Sequence, residues 1–263
     1  MQLTNTNGLT LGLPLSTLFA FLFVLGRVGG LVAFLPLPAL RNAPQIVRAV
    51  LAMTITFALF PVWPQLPNTL PTIGELTTTV LAEMGFGFTM GLAANLLTEG
   101  FEVAAQLIGV QAGYGYATTI DPTSQADAGV LQVISGLMTG LLILTLGVDR
   151  QLFRILAASF EKFPAGSWTL TAVSVDGIVH LGSGMFSLAL RLAMPMIALL
   201  LLIDLSLALL GRMQQQLQML SLAFPLKMLA ALLLLVVMAP VIARLFESAS
   251  RDTLAALWAS VGK

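Results

Sequence analysis

Two long apolar runs near the C-terminal end constrain the fold more than any other feature of this sequence. They cover residues 178–210 and 214–246, and only Gly211, Arg212 and Met213 separate them. Leu, Ala and Met dominate both runs without period-two alternation, so each run predicts a helix. At 1.5 Å per residue each helix is about 50 Å long, whereas the hydrocarbon core of a bilayer is about 30 Å thick. The pair therefore predicts an antiparallel helical hairpin taller than a membrane, with part of it packed on protein outside the lipid.

Further apolar segments precede this hairpin, at residues 13–35, 49–63, 76–97, 103–120 and 128–148. Hydrophobic residues make up 57% of the 263 residues and charged residues only 9%, whereas soluble domains contain about 25% charged residues. The sequence predicts an all-α integral membrane protein without strands. The segment at 49–63 is short for a span, so the number of crossings stays open at this point.

The positions of lysine and arginine predict an orientation, because cytoplasmic loops of membrane proteins carry an excess of both. If the chain crosses seven times and starts outside, Arg212 is the only basic loop residue on the outer side. The cytoplasmic side then holds Arg41, Arg48, Arg150, Arg154, Lys162, Arg244, Arg251 and Lys263. This asymmetry favours an outside N-terminus and a cytoplasmic C-terminus.

Composition argues against most catalytic chemistry. The chain has no cysteine and a single histidine, His180, which excludes thiolate catalysis and any cluster of cysteine or histidine metal ligands. Neither a phosphate-binding GxxxxGK[ST] loop nor an HExxH motif is present. Twelve basic residues balance 12 acidic ones, so no electrostatic footprint for nucleic acid exists. We expect no enzyme activity, no metal, no cofactor and no nucleic-acid partner.

Glycines recur at a spacing of four on four of the apolar segments. Small residues at this spacing let membrane helices approach closely. The pattern predicts tight helix packing, against this chain or against neighbouring subunits. The pairs are Gly26 with Gly30, Gly87 with Gly91, Gly109 with Gly113, and Gly136 with Gly140.

Ionisable residues also lie inside the apolar segments, namely Arg27, Glu83, Arg191, Asp204 and Lys227. Such residues are costly in hydrocarbon and face protein or water, so they indicate pairing between helices or contact with water, or else a proton or ion path. A hairpin turn centred near Arg212 would place Asp204 level with Ser221 rather than with Lys227. We therefore expect no pair within the hairpin and favour contacts with other chains, with a proton or ion path as the alternative.

The stretch from Gln106 to Pro122 is too polar for a lipid-facing helix and too rich in glycine for a rigid one. It contains Gly113, Tyr114, Gly115 and Tyr116, which include both tyrosines of the chain, and it ends at Asp121-Pro122, where proline disfavours helix in the preceding residue. Non-helical backbone at membrane depth is tolerated inside protein or along an aqueous cavity. The stretch predicts a flexible segment lining a pore, with an ordinary turn between helices as the alternative.

Two shorter stretches are amphipathic with helical spacing. One places Leu152, Leu156, Phe160 and Phe163 on one face, and the other places Leu254, Leu257, Trp258 and Val261 on one face. Each predicts a helix that contacts the membrane surface or a partner, or simply a solvated helix.

Several motifs occur in an order and at a spacing that resemble a known family. They are Arg27-Val28 with Pro36, Pro44 and Arg48, the Gln-x-x-Gly-x-Gln-x-Gly stretch from Gln106 to Gly113, Asp121-Pro122, Ser159-Phe160, Pro164-x-Gly166, Arg212-Met213, Gln216-Leu217 and Phe224-Pro225-Leu226-Lys227. From about residue 15 to 257 the chain resembles the FliR family of export-gate proteins, which flagella share with type III secretion injectisomes. The chain has Gln215-Gln216 where the family commonly has Pro-Gln, so a helix-breaking proline is absent at the hairpin tip, between Arg212 and Gln216.

This resemblance implies a subunit that joins FliP-like and FliQ-like partners in a helical pore complex, in association with FlhB-like and FlhA-like components. The complex would lie in the bacterial inner membrane, at the centre of the flagellar basal body, and would pass unfolded secretion substrates. By resemblance, residues 1–177 form a FliP-like part, 178–246 a FliQ-like hairpin and 247–263 a cytoplasmic amphipathic tail.

The same resemblance implies that residues 111–127 form a plug in the closed pore. Tyr116 and Thr119 stand where family members often carry phenylalanine. Three other functions remain open: an injectisome export-gate subunit, a secondary transporter using Glu83, Arg191 and Asp204, and a membrane-bound enzyme. No internal repeat supports the transporter, and no clustered acid–base pair supports the enzyme.

Overall fold

The computed structural model describes residues 3–4, 10–11, 14–37, 40, 43–66, 72–114, 129–168, 172–213 and 219–262. Most of these residues are helical. The α-helices are α1 (Leu15–Phe34), α2 (Gln45–Ala58), α3 (Ile73–Ala112), α4 (Val130–Leu146), α5 (Val148–Lys162), α6 (Ala172–Met213) and α7 (Met219–Gly262).

The all-α class is confirmed, with one small exception. Two strands of two residues each, β1 (Leu3–Thr4) and β2 (Thr10–Leu11), pair in antiparallel fashion near the N-terminus. The expectation of no strand is wrong there, because a strand pair this short leaves no pattern in the sequence. A single turn of 3-10 helix, Phe60–Val62, follows α2.

The largest difference from the predicted elements concerns α3. The segments 76–97 and 103–120 were predicted as separate helices, but Ile73–Ala112 is one helix of 40 residues. The polar residues between the two apolar segments, including Thr98 and Glu102, are buried and do not end the helix. No proline lies between residues 73 and 112, so nothing in the backbone interrupts the hydrogen-bond ladder.

The C-terminal hairpin is longer than its apolar runs. Helix α6 has 42 residues and α7 has 44, which correspond to about 65 Å each at 1.5 Å per residue. Residues 211–213, predicted as the turn, still belong to α6. The connection at 214–218, which includes Gln216, lies outside the described residues, while Pro195, Pro225 and Pro240 lie inside continuous helices.

Four described helices are long and apolar enough to cross a membrane, namely α1, α3, α6 and α7. Helices α4 and α5 meet at a bend of 60° and would add a fifth span if they act as one. The described part of the chain therefore offers four or five spans rather than the seven assumed for the charge count, because two predicted segments merge in α3 and α2 is short. The orientation stays a prediction.

The chain forms two compact units that alternate along the sequence. The first unit comprises residues 1–95, 147–178 and 253–263. Helix α5 buries its apolar face within this unit, including Leu152, Leu156 and Phe160. Phe163 is half-buried. In the tail, Leu254 and Leu257 are buried whereas Trp258 is exposed.

The second unit comprises residues 96–146 and 179–252. Its core contains buried side chains from α3, α4, α6 and α7, and the rings of Phe101 and Phe246 lie 5.1 Å apart. The division at residues 177 and 246 into a FliP-like part, a FliQ-like hairpin and a tail stays a prediction, since these units follow packing within the chain.

Candidate functional site

The first unit contains a fully buried ion pair. Arg27 of α1 donates from Nε to Glu83 Oε2 of α3 at 2.5 Å and from Nη2 to Glu83 Oε1 at 3.0 Å. Both side chains have no exposed surface. The remaining donors of the guanidinium reach Ser159 Oγ at 2.9 Å and the carbonyl oxygen of Phe163 at 3.1 Å.

Aromatic rings and a backbone amide complete this Arg27 cluster. The guanidinium carbon lies 4.6 Å from the ring centre of Phe86 and 4.4 Å from that of Phe160, distances at which cation–π attraction operates. Glu83 Oε1 also accepts a hydrogen bond of 3.0 Å from the amide of Gly166. The cluster connects α1, α3, α5 and the segment after α5, so it stabilises the packing of these elements.

The expectation that the intramembrane charges face other chains is therefore wrong for Arg27 and Glu83. A bidentate pair with further hydrogen bonds offsets the cost of burying two charges. The sequence could not reveal this pair, because Arg27 and Glu83 lie 56 residues apart on different segments.

Helices α1 and α3 cross in backbone contact close to this cluster. A Cβ atom added at Gly87 would overlap the carbonyl oxygen of Arg27, and one at Gly91 would lie 2.7 Å from the carbonyl oxygen of Leu31. A Cβ at Gly30 would lie 2.8 Å from the amide nitrogen of Phe88. Only glycine allows this approach. These glycines therefore serve packing within the chain, and a role in packing between subunits stays a prediction.

The other paired glycines are less crowded. A Cβ at Gly26 would have contacts of 3.5 Å, and one at Gly109 a single contact of 3.9 Å with Leu131. On α4, Gly140 is buried and Gly136 is half-buried.

In the second unit, the start of the predicted plug contacts the C-terminal hairpin. Helix α3 ends at Ala112, and Gly113 adopts a φ of +88°, which ordinary residues rarely tolerate. A Cβ at Gly113 would lie 2.7 Å from the ring of Phe224. The hydroxyl of Tyr114 donates to the carbonyl oxygen of Met228 on α7 at 3.0 Å. Burial raises the pKa of the Tyr114 phenol above its ordinary value, so the hydroxyl stays protonated and able to donate.

A shared carboxylate lies beside these contacts. Asp204 of α6 pairs with Lys227 of α7, with 2.9 Å between Asp204 Oδ1 and Lys227 Nζ. Asp204 Oδ2 also accepts a hydrogen bond of 3.1 Å from Gln111 Nε2 on the last turn of α3. We call Gln111, Asp204 and Lys227 the carboxylate triad.

The expectation that Asp204 has no partner in the hairpin is wrong. It placed the turn at Arg212, but α6 continues to Met213 and α7 begins at Met219. The midpoint between the two helix ends is residue 216, and Asp204 and Lys227 lie almost equally far from it along the chain. A shift of the turn by one helical turn therefore brings the two charges level.

Arg191 is the one predicted intramembrane charge with no ion pair or hydrogen bond among the described residues. Its side chain is exposed and lines a cavity of about 50 Å³ within the second unit. Apolar side chains of α3, α4, α6 and α7 form most of the remaining wall. Arg212, at the end of α6, is exposed as well.

Most of the predicted plug lies outside the described residues, including Gly115, Tyr116, Thr119, Asp121 and Pro122. Its assignment to residues 111–127 therefore stays a prediction. Within the described ranges, no group of three or more histidine, aspartate or glutamate side chains is arranged to hold a metal ion.

The motifs on which the family resemblance rests meet in these two places. Ser159, Phe160 and Gly166 complete the Arg27 cluster. Phe224 lies against Gly113 at the start of the predicted plug, and Lys227 pairs with Asp204, which accepts a hydrogen bond from Gln111. The sequence marks Lys227 as an intramembrane charge and Phe160 as part of an amphipathic face, but it does not indicate these contacts. Phe86 gave no signal, since a phenylalanine in an apolar helix is ordinary.

Comparison with known proteins agrees with this arrangement. The family described as Bacterial export proteins, family 1, matches residues 18–253. The chain is 33% identical over 238 residues to the flagellar biosynthetic protein FliR of Escherichia coli, covering 89% of each chain. It is 29% identical to FliR of Pectobacterium carotovorum, covering 82% of each, and 28% identical to FliR of Aquifex aeolicus, covering 76% of this chain and 77% of that one. The chain therefore belongs to the bacterial export proteins, family 1, and within them to the flagellar biosynthetic protein FliR family.

Proposed function

We propose that this protein is a non-catalytic subunit of the flagellar type III protein export gate. With FliP-like and FliQ-like partners it forms a gated passage for unfolded secretion substrates, and residues 111–127 close that passage at rest. The assembly lies in the inner membrane at the centre of the basal body, in contact with FlhB-like and FlhA-like components.

The observation that carries this proposal is family membership over almost the whole chain. The matched residues, 18–253, include the Arg27 cluster, the start of the predicted plug and nearly all of the hairpin. The relatives are flagellar biosynthetic proteins, and the family is one of bacterial export proteins. Long helices, and a glycine- and tyrosine-containing segment directly after one of them, are features that a gated passage needs.

Exposed apolar surface on the hairpin supports the proposed partners. Among the residues in the most apolar windows of α6 and α7, only 22% and 11% are buried within this chain. Each helix is about 65 Å long, about twice the thickness of the hydrocarbon core. Lipid covers part of this surface, and FliP-like and FliQ-like subunits cover the part that rises above the membrane.

The charged residues support a passive role. Glu83 makes three hydrogen bonds with protein groups and has no exposed surface, so it has no room to take up and release an ion. Asp204 forms an ion pair with Lys227 and accepts a hydrogen bond from Gln111. Transport energy then comes from elsewhere in the machine, and neither an enzyme nor a secondary transporter is favoured. The relatives that match are flagellar, which favours the flagellum over the injectisome.

Removal of part of the plug tests this function. Deleting residues 114–119, or changing Tyr114 and Tyr116 to alanine, should leave assembly with the partners intact and raise resting ion conductance. Bulky rings are lost from the segment that blocks the passage. Both changes also remove the hydrogen bond from Tyr114 to Met228, but the sequences of α3, α6 and α7 are unchanged. The measurement is small-ion conductance of cells or liposomes, normalised to the amount of assembled complex.

The matched control is Trp258→Ala, which removes an exposed aromatic ring far along α7 and should not alter conductance. If the deletion complex assembles at parental levels and conducts no more than the parent, residues 111–127 are an ordinary turn and the gating function is wrong.

A further inference from the structure

We propose that Asp204 is a positioning residue for the plug. Its carboxylate ties the end of α3 to both arms of the C-terminal hairpin and so fixes where the plug begins. This inference rests on the proposed function for the role of residues 111–127, but the restraint itself has a separate measurable consequence.

The geometry of the carboxylate triad supports a restraint on three helices. Asp204 lies on α6, Lys227 on α7 and Gln111 on the last turn of α3. One oxygen, Asp204 Oδ2, accepts from Gln111 at 3.1 Å and from Lys227 at 3.0 Å. Both donors thus share one acceptor oxygen, which has two lone pairs, and sliding of α6 changes both distances together.

Burial makes these bonds stronger than surface contacts. The side chain of Lys227 is 13% exposed and that of Asp204 is 37% exposed, so solvent screens the pair only partly. Hydrogen bonds to charged groups are the stronger ones in proteins.

A second tether lies directly beside the triad. The Tyr114 hydroxyl donates to the carbonyl oxygen of Met228, the residue after Lys227. Gln111 and Tyr114 flank Gly113, where the left-handed backbone ends α3. The chain on both sides of this glycine is therefore fastened to the hairpin, so movement of the hairpin is passed to the start of the plug.

The discriminating variant is Gln111→Met. Methionine matches glutamine in length but cannot donate to Asp204, and the Asp204–Lys227 pair remains. The control is Gln106→Met on the same helix, because Gln106 is exposed and has no hydrogen bond among the described residues.

Two measurements report on the restraint, namely the labelling rate of a cysteine in the plug and the resting conductance. The chain has no cysteine, so a cysteine introduced at Thr119 is a unique label for the plug. In the assembled complex, Gln111→Met should increase the labelling rate of this cysteine and the resting conductance by roughly tenfold or more, which is the effect of losing one hydrogen bond to a charged group. Gln106→Met should change neither.

Exchange of the two charges gives a rescue test. Asp204→Asn alone should raise labelling and conductance like Gln111→Met, because the carboxylate is lost. Asp204→Lys combined with Lys227→Asp rebuilds the ion pair, and Gln111 can turn its amide to present oxygen to the new lysine. The double variant should therefore return both readouts towards the parental values.

Parental labelling and parental conductance in Gln111→Met would overturn the inference, and so would loss of assembly in that variant, since the bond would then serve folding. The plug deletion separates the two proposals. If the deletion raises conductance while Gln111→Met changes neither labelling nor conductance, only the positioning role of Asp204 is contradicted. If the deletion does not raise conductance while Gln111→Met speeds labelling of the cysteine, the gating function is contradicted and the restraint by Asp204 is supported.

Discussion

Arg27 and Glu83 lie 56 residues apart in sequence, yet two of the four hydrogen bonds of Arg27 and two of the three of Glu83 join them to each other. The guanidinium is further enclosed by two phenyl rings and by two oxygen acceptors from the region of α5. Removal of one partner would leave a buried charge with nothing to balance it. Loss of either partner is therefore expected to destabilise the packing of α1 against α3.

We expect Glu83→Gln and Arg27→Met to destabilise the protein by about 3–5 kcal/mol each, the usual cost of breaking a buried ion pair from one side. The double variant Arg27→Met with Glu83→Leu should lose less than the sum of the two, because no unpaired charge remains. Thermal unfolding of the detergent-solubilised complex measures both effects. Glu247→Gln is the control, since its pair with Arg251 is exposed and such pairs contribute little. Additive losses would show that the two residues act independently.

At the scale of single residues, the sequence identified the charged residues inside the apolar segments but not which of them form ion pairs. Arg27, Glu83, Asp204 and Lys227 stood out because charge is rare in apolar segments. Their pairing depends on the register of helices, and register was predicted from an assumed turn at Arg212. An error of one helical turn was enough to separate Asp204 from Lys227, whereas Arg27 and Glu83 required knowledge of tertiary contacts.

Among the elements, α3 departs most from its prediction. Hydropathy divided it because Thr98, Glu99 and Glu102 interrupt the apolar pattern, and a hydropathy profile does not distinguish a polar loop from polar side chains buried in protein. The hairpin was predicted correctly as two helices longer than a bilayer is thick. Its helices exceed the apolar runs because polar residues at the ends of a helix extend it without altering its apolar centre.

Close contact between α1 and α3 gives a prediction for these elements. Gly87→Ala places a Cβ against the carbonyl oxygen of Arg27, so we expect a loss of about 1–3 kcal/mol from overpacking and a lower yield of complex. Gly29→Ala is the control on α1, because no atom lies within 4 Å of its added Cβ. Alanine there should be neutral or stabilise the helix by about 0.5–1 kcal/mol. Equal behaviour of the two variants in a thermal-shift measurement would mean that α1 and α3 do not touch in this way.

Over the whole molecule, the apolar surface exceeds what this chain can bury by itself. Exposed leucines continue along α6 from Leu190 to Leu210 and along α7 from Leu226 to Leu233. A helix with exposed apolar residues over such a length needs lipid or protein around it. Because the chain belongs to the FliR family, we relate this surface to flagellar export.

We expect the protein expressed alone to aggregate or to be degraded, and to be recovered as one large complex when FliP-like and FliQ-like partners are co-expressed. Native mass measurement of the affinity-purified complex gives the composition. A monodisperse monomer in mild detergent that binds neither partner would contradict the assembly proposal. An unrelated polytopic membrane protein, co-expressed in the same way, controls for nonspecific association.

The Arg27 cluster also has a consequence for the order of events during synthesis. Helix α1 leaves the ribosome before α3, and its arginine costs roughly 2.5–3.5 kcal/mol near the middle of a membrane helix when no counter-charge is present. Glu83 follows 56 residues later, an interval of about 3–11 s at 5–20 residues per second. Gly166, which binds the same carboxylate, emerges later still. The hydrogen bonds that compensate the burial of Arg27 are therefore complete only after α3 and the segment that follows α5 have been synthesised.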